Sequence, residues 1–417
     1  MSACEDAGER SFSGDRQSVF RYLLGEVFAG VDREMIRRAA RISLLDEFVC
    51  ADLSGIFHIE SPEDTVSWLE RNNFYIQKTN TEPPSYRFHS LFRDALLHFL
   101  TDEYSDPEIN AFHLAAADHF EKTTRYAAAV KHYLSGSDEL SAVRVASEMG
   151  SMYTSNGDME SATELIGDMP EHLIFGNATL LMILGVSLCG SETERSSSYL
   201  TKSMEMAVKN KEMDVAVRTQ GFAISVCIQQ NNLAGIEDVI KIVPMPKAIM
   251  ANRQARKMLI HSLLLKSATS YQVKLAKALN RIIDKVGVKD QVDLWQYSSL
   301  LSKAFLWNVI GDFDNAENLI RMLAEHPVAL RNARWNAFGL QLCGLMSACM
   351  GNTDALIQYA DKLSSLGLKY ANGLASSYGA HYMAQAKYQT RDTAGAVLTA
   401  GAASKLFIEK QNFPWRC

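Results

Sequence analysis

GDFDNAENLI at 311–320, GNTDALIQYA at 351–360 and RDTAGAVLTA at 391–400 are three versions of one unit: a tight two-residue turn, then an amphipathic helix. GDMESATELI at 157–166 and NNLAGIEDVI at 231–240 read the same way. An Asp or Asn beside each turn can accept a hydrogen bond from the free amides of the new helix. The turns lie 74, 80, 40 and 40 residues apart. Halving the first two gaps gives about 37 and 40 and places two further turns near Ser191 to Glu194 and near Thr269-Ser270. A small residue in each helix (Ala162, Gly235, Ala316, Ala355, Gly395) is expected where the second helix approaches the first. Counting RYAAAVKHYL from Arg125, the pattern predicts about eight helix pairs of the tetratricopeptide type over residues 107–417, stacked so that they present a concave surface.

Working outward, the only departure from helical periodicity is Phe74 to His89, where FYIQKT and SYRFH flank NTEPP and read as two strands and a turn. VFRYLLGEVF, REMIRRAARISLLDEF and EDTVSWLERN precede it as helices and SLFRDALLHFL follows. Helices with a late hairpin make a winged-helix outline. The predicted organisation is all-α: a tail at 1–15, a winged-helix-like module at 16–106, and the superhelical repeats from 107 onward.

Composition sets the function classes. Apolar residues are 47% and charged residues 22% of the 417, the balance of a folded globular chain. Residues 1–106 hold 11 Lys/Arg against 19 Asp/Glu, an acidic balance that repels phosphate backbones and argues against direct nucleic-acid binding. The seven cysteines include no C-x-x-C pair and read as reduced core thiols. The N-terminus has no apolar core and no apolar run reaches about 18 residues, so neither a leader nor a membrane span is expected, and the chain reads as cytoplasmic. No G-x-S-x-G, H-E-x-x-H or Gly-rich dinucleotide loop occurs, and the expectation is a non-enzyme. His113, His119 and His132 are spaced too far apart along the chain for one ligand face and read as structural, as do Cys343 and Cys349.

VFRYLLGEVFAGVDREMIRRAARISLLDEFVCADLSG, WLERNNFYIQKT and YRFHSLFRDALLHFL together resemble the winged-helix segment of the large ATP-dependent, MalT-like LuxR-family transcriptional regulators. The repeats resemble that family's sensor domain. In such signal-transducing ATPases a P-loop domain precedes the winged helix and a helix-turn-helix follows the repeats. The 417 residues contain no G-x-x-x-x-G-K-[ST] and end at FPWRC, so the chain is expected to be the regulatory middle of such a protein. It would bind no cofactor alone, ATP or ADP being implied for a full-length relative. The resemblance gives His89 a contact to ADP and Arg93 an assisting place, both requiring an ATPase domain as partner. An imidazole at the start of a helix can also simply cap it. The repeats are expected to receive a small-molecule inducer or a regulatory protein, with self-association open. Tyr297, Arg334, Asn336, Gln341, Tyr378 and His381 are the polar and aromatic candidates for that groove, although aromatics in such stacks mostly fill the space between helices. The alternative is a stand-alone tetratricopeptide scaffold gripping a protein or peptide.

Overall fold

A computed structural model describes residue 28 and residues 30–156, 158–189, 192–229, 232–243, 253–270, 272–286, 294–331, 333–369 and 373–409. The expected tail at 1–15, the helix VFRYLLGEVF apart from Phe28, and FPWRC lie outside the described residues. The chain divides into two compact units, 1–145 and 146–417.

In the first unit, α1 (Arg33–Ile42), α2 (Cys50–Phe57) and α3 (Pro62–Arg71) precede strands β1 (Ile76–Lys78) and β2 (Tyr86–Phe88), and α4 (Ser90–Glu103) follows. The strands pair antiparallel, Ile76 opposite Phe88 and Lys78 opposite Tyr86. Tyr86 and Phe88 are buried while Arg87 between them is exposed, the period-2 pattern of a strand with one face on a core. Phe48 adds a bridge to Tyr86, each donating its amide to the other's carbonyl at 2.9 and 2.8 Å. The core is aromatic: Phe74 meets Trp68 at 5.2 Å and Phe92 edge-on at 5.4 Å, and Phe48 stacks on Tyr86 at 5.9 Å. Such pairs are worth about 0.5–1.5 kcal/mol each beyond burial. The helices and hairpin thus build the winged helix that the sequence outlines.

The unit does not end there. It continues through α5 (Asp106–Lys122) and α6 (Tyr126–Ser135) into the start of α7 (Glu139–Asn156). The expected division at 106 therefore differs from the compact unit, which takes in the first helix pair. The physical reason is packing: α2 lies against α5, and the contact is ionic as well as apolar, as shown below. The Tyr133 hydroxyl lies 2.8 Å from both Asp118 and Glu121, its one proton shared between the two carboxylates, and Arg144 holds Glu121 through two 2.8 Å bonds.

The second unit is helical throughout its described residues: α8 (Met159–Gly167), α9 (Glu171–Phe175), α10 (Ala178–Leu188), α11 (Thr193–Asn210), α12 (Met213–Gln229), α13 (Leu233–Ile242), α14 (Arg253–Thr269), α15 (Val273–Val286), α16 (Leu294–Val309), α17 (Phe313–Ala324), α18 (Pro327–Arg331), α19 (Ala333–Cys349), α20 (Thr353–Lys369), α21 (Gly373–Gln389) and α22 (Thr393–Glu409). With the short α9 and α18 set aside, eight helix pairs stand among the described residues of the two units, from α5–α6 to α21–α22. Each later pair opens its second helix in the same way. The amides of Asn232, Gln272, Asp312, Asn352 and Asp392 donate to the carbonyl five residues back (2.8 Å for Asn232, 2.9 Å for Asp392). These positions repeat every 40 residues. The gap from Asp158 to Asn232 is not two of 37: α11 is entered through Glu192, giving one interval of 34 and one of 40.

The predicted caps form. Asp158, Asn232, Asp312, Asn352 and Asp392 accept from the amide three residues on, at 2.9 to 3.3 Å. The small-residue reading needs correction. Ala162 and Ala316 are buried against the first helix, but Gly235, Ala355 and Gly395 lie one residue earlier in the helix. They carry the capped amide, and a Cβ on Gly235 or Gly395 would collide with its own cap, Asn232 or Asp392. Ile236, Leu356 and Ala396 take the buried place.

Neighbouring first helices are joined by side-chain-to-carbonyl bonds, three of them at equivalent places and the fourth, from Gln389, two turns further along. Ser262 donates to the Gly221 carbonyl at 2.9 Å, Ser302 to His261 at 3.4 Å, Tyr382 to Gln341 at 2.7 Å and Gln389 to Ala348 at 3.3 Å, each across 41 residues. Gly344 makes room for Tyr382, whose ring lies 2.4 Å from where a Cβ would stand. Lys211 and Arg391 hold left-handed turns (φ 68° and 66°), and Gly351 occupies the place equivalent to Arg391 at φ 68°.

Candidate functional site

β2 delivers His89 to the capping position just before α4. Its amide donates to the Tyr75 carbonyl at 2.9 Å, and its backbone (φ −58°, ψ 137°) turns the chain into the helix. The ring makes no capping bond and is exposed. Beside it stands Tyr75, with a left-handed backbone (φ 47°) and a half-exposed ring 5.5 Å from Phe92. The sequence reading passed over Tyr75 because it sits inside a predicted strand.

Arg93 is not free to assist His89. Its Nε donates to the Ser43 carbonyl at 2.8 Å and its Nη2 to Leu44 at 3.3 Å, closing carbonyls left open at the C-terminal end of α1. The same Nη2 pairs with Asp46 at 2.8 Å, and Asp46 also takes Lys131 of α6. Burial would push the Asp46 carboxyl up, but the Lys131 hydrogen bond and the Arg93 charge outweigh it and hold it below the usual range. Arg93 therefore acts as a tie among α4, α1 and α6, a role the helical spacing from His89 does not reveal.

Asp52 is the most deeply buried charge among the described residues of this unit, with 1% exposure. Its position in the first turn of α2 lets it accept from the Val49 amide at 2.9 Å. From α5, His119 Nε2 reaches it at 2.9 Å. Arg125, just before α6, reaches it with both terminal nitrogens, Nη1 at 2.9 Å. The guanidinium also lies over the Phe120 ring, 4.3 Å from its centre. Burial alone would raise the Asp52 carboxyl, but the Arg125 and Val49 hydrogen bonds overcome it and lower it. The His119 ring fills the space left by Gly55, where a Cβ would come within 2.3 Å. No local signal could have found this cluster, since its partners are 67 and 73 residues from Asp52.

His113 and His132 face one another across α5 and α6, Nδ1 to Nδ1 at 2.9 Å, so one ring donates and the other accepts. Spacing along the chain hid this, because the two helices run antiparallel. Burial, then the neighbouring His113, lowers the His132 imidazole to about 3, and burial lowers His113 as well. Among the described residues no group of three or more His, Cys, Asp or Glu is placed to hold a metal.

In the repeats, the candidate groove residues separate. Tyr297 is fully buried, its hydroxyl bonded to the Gly339 backbone and its ring 5.2 Å from His326. Tyr378 is buried in the cluster that contains Leu356, Leu363 and Tyr382. Both are core residues because the gaps between adjacent first helices need large rings. Asn336, Gln341 and His381 are partly exposed, and His381 lies 5.4 Å from the Tyr382 ring. The side chains of Arg334 and Trp335 lie outside the described residues. Cys343 is buried, with burial pushing its thiol up to about 12, but Cys349 is exposed rather than core, since it falls on the last turn of α19.

A winged helix packed on a first helix pair and followed along the chain by further helix pairs defines a class: chains that couple a winged-helix module to a helical-repeat region. Residues 24–108 match the family model of the MalT winged helix domain. Over 211 residues, half of this chain, it is 23% identical to the HTH-type transcriptional regulator MalT of Vibrio parahaemolyticus serotype O3:K6 (strain RIMD 2210633), and the match covers 23% of that relative's length. A crystal structure of a Signal Transduction ATPase with Numerous Domains (STAND) protein with a tetratricopeptide repeat sensor, from Pyrococcus horikoshii, superposes with a TM-score of 0.40. It is 13% identical, with coverage of 94% of this chain and 65% of that one. No helix among the described residues is long and apolar enough to cross a membrane.

Proposed function

We propose that this chain is the signal-sensing, regulatory portion of a MalT-like LuxR-family transcriptional regulator. The observation that carries the reading is the match of residues 24–108 to the MalT winged helix domain, in a unit that joins its winged helix to a first helix pair through a buried ionic cluster, with further helix pairs following along the chain. The repeats receive an inducer or a regulatory protein, and the winged helix passes the signal to a nucleotide-binding ATPase domain. In this scheme His89, with its ring free at the start of α4, is the nucleotide-facing residue, and Arg93 keeps α4 in place without touching the ligand. Signalling is a population shift: the ligand binds one arrangement of the repeats better and so favours it. The chain itself performs no reaction in this role.

Thermal denaturation of the chain against a panel of sugars, nucleosides and amino acids tests the sensing role. A saturable rise in Tm is expected for an inducer, amounting to about 2.7 kcal/mol of added stability at one hundred times its Kd. If no small molecule shifts Tm and a purified protein partner does, the chain is a tetratricopeptide scaffold instead.

A further inference from the structure

α15 carries two unlike faces. On the inner one, Ala276, Leu279 and Ile283, at i, i+3 and i+7, pack with Leu264 and Ala268 of α14 and Leu306 of α16. On the outer one, Lys274, Lys277 and Arg281 form a row at the same spacing, all exposed and opposite the core row. Beside them, about 100° around the helix, run Leu275, Ala278 and Ile282, with Leu275 50% and Ile282 44% exposed.

Neither outer row serves the folding of the repeat. A cation in the first turn opposes the helix macrodipole, and like charges three and four residues apart repel. The place of Lys274 holds Asp314 and Asp354 in the next two repeats, and that of Lys277 holds Glu317 in the next, the charges a helix start favours. The single acidic residue of α15, Asp284, is taken by Lys303 of α16. Among the described residues no ion pair reaches Lys274, Lys277 or Arg281. The surrounding sequence is basic too, with ten Lys/Arg and one acidic residue from Lys247 to Lys289. Cations and apolar side chains in adjacent rows of helical register match a second helix that carries carboxylates beside an apolar stripe. A phosphate backbone would answer the cations and leave Leu275 and Ile282 unused. A lipid surface calls for a wider apolar face with aromatic anchors, which this row lacks.

We infer that the outer face of α15 is a docking surface for an acidic amphipathic helix of a partner protein. The inference rests on the regulatory-protein side of the role proposed above and gives that partner a surface and a chemistry. Lys274 is then a cation kept for binding against the preference of its own helix, so reversing its charge should stabilise the free chain while weakening recognition.

The test follows, by fluorescence anisotropy, the whole chain binding a labelled synthetic peptide whose helix carries Glu and Leu in adjacent rows. Expected is saturable binding that weakens with added salt and is lost when the same composition is scrambled so that the rows break. The double variant Lys277→Glu/Arg281→Glu should bind about tenfold more weakly or worse, and Leu275→Gln/Ile282→Gln should also lose affinity. Lys274→Glu should bind more weakly while its free chain melts above wild type; a cation needed by the fold would lower Tm instead. No peptide binding, equal binding of the scrambled peptide, unchanged affinity in Lys277→Glu/Arg281→Glu, or a lower Tm in Lys274→Glu would overturn the assignment. So would self-association of the chain, or binding of duplex DNA or phosphatidylserine vesicles, that these variants abolish, since the face would then serve another occupant. If a small molecule raises the Tm of wild type and of these variants alike while the peptide fails to bind, the sensing role stands and only the docking surface falls.

Discussion

Asp52 shows how much a single side chain can decide. Its carboxylate holds His119 and Arg125 at the place where α2 meets the first helix pair. Breaking a buried pair by removing one partner costs about 3–5 kcal/mol because the other charge is left uncompensated. Asp52→Asn is expected to cost most of that in urea denaturation, with Arg125→Lys milder; a loss under about 1 kcal/mol would mean water already screens the site. His132 sets a pH dependence. Its folded value lies near 3, below the ordinary 6.5, so its contribution is complete above pH 6.5 and is lost as pH falls toward 3. Stability is expected to drop by about 1.4 kcal/mol per pH unit in that window for one such group. Tm measured from pH 7 to 4.5, above the titration of most carboxylates, should slope in wild type and flatten in His132→Gln. Neither group was legible as more than a structural residue, because its chemistry is made by partners distant in sequence.

Elements were legible where their signals are local. The Asp and Asn caps announce themselves beside the turns, and replacing Asn352 by Ala, which frees the Ala355 amide now bonded at 3.2 Å, is expected to cost about 1 kcal/mol. Asn352→Asp should cost much less, and denaturant midpoints of the two variants decide it. The hairpin was equally visible, since Tyr86 and Phe88 alternate with Arg87. What the pattern hid was depth by one residue. Gly235 and Gly395 look like close-approach positions, yet they are small because their caps crowd them. The neighbouring Ile236 and Ala396 do the burying. The same kind of error affected Tyr297 and Tyr378, whose polar hydroxyls drew attention in the sequence while their rings were needed between helices.

At the scale of the molecule, the order of winged helix then repeats could be read directly, but the compact-unit boundary could not, because it depends on Asp52 and Asp46 reaching residues of α5 and α6. A fragment of residues 1–145 should therefore unfold cooperatively, followed by circular dichroism. One ending at 106, which leaves Asp52 without Arg125 and His119, should be far less stable or unfolded; equal melting of the two would place the boundary back at the hairpin helix. The turns of the second unit have a different consequence. Lys211 and Arg391 are exposed basic residues, the kind trypsin cuts after, yet each sits in a left-handed turn. The next amide, of Glu212 or Asp392, is bonded five residues back at 2.8 or 2.9 Å. A protease must draw several residues straight through its cleft, and these turns cannot straighten without unwinding the helices on both sides. Trypsin cleavage at Lys211 or Arg391 would thus report the opening of a repeat rather than the exposure of a loop, giving the chain built-in sensors of its own local unfolding.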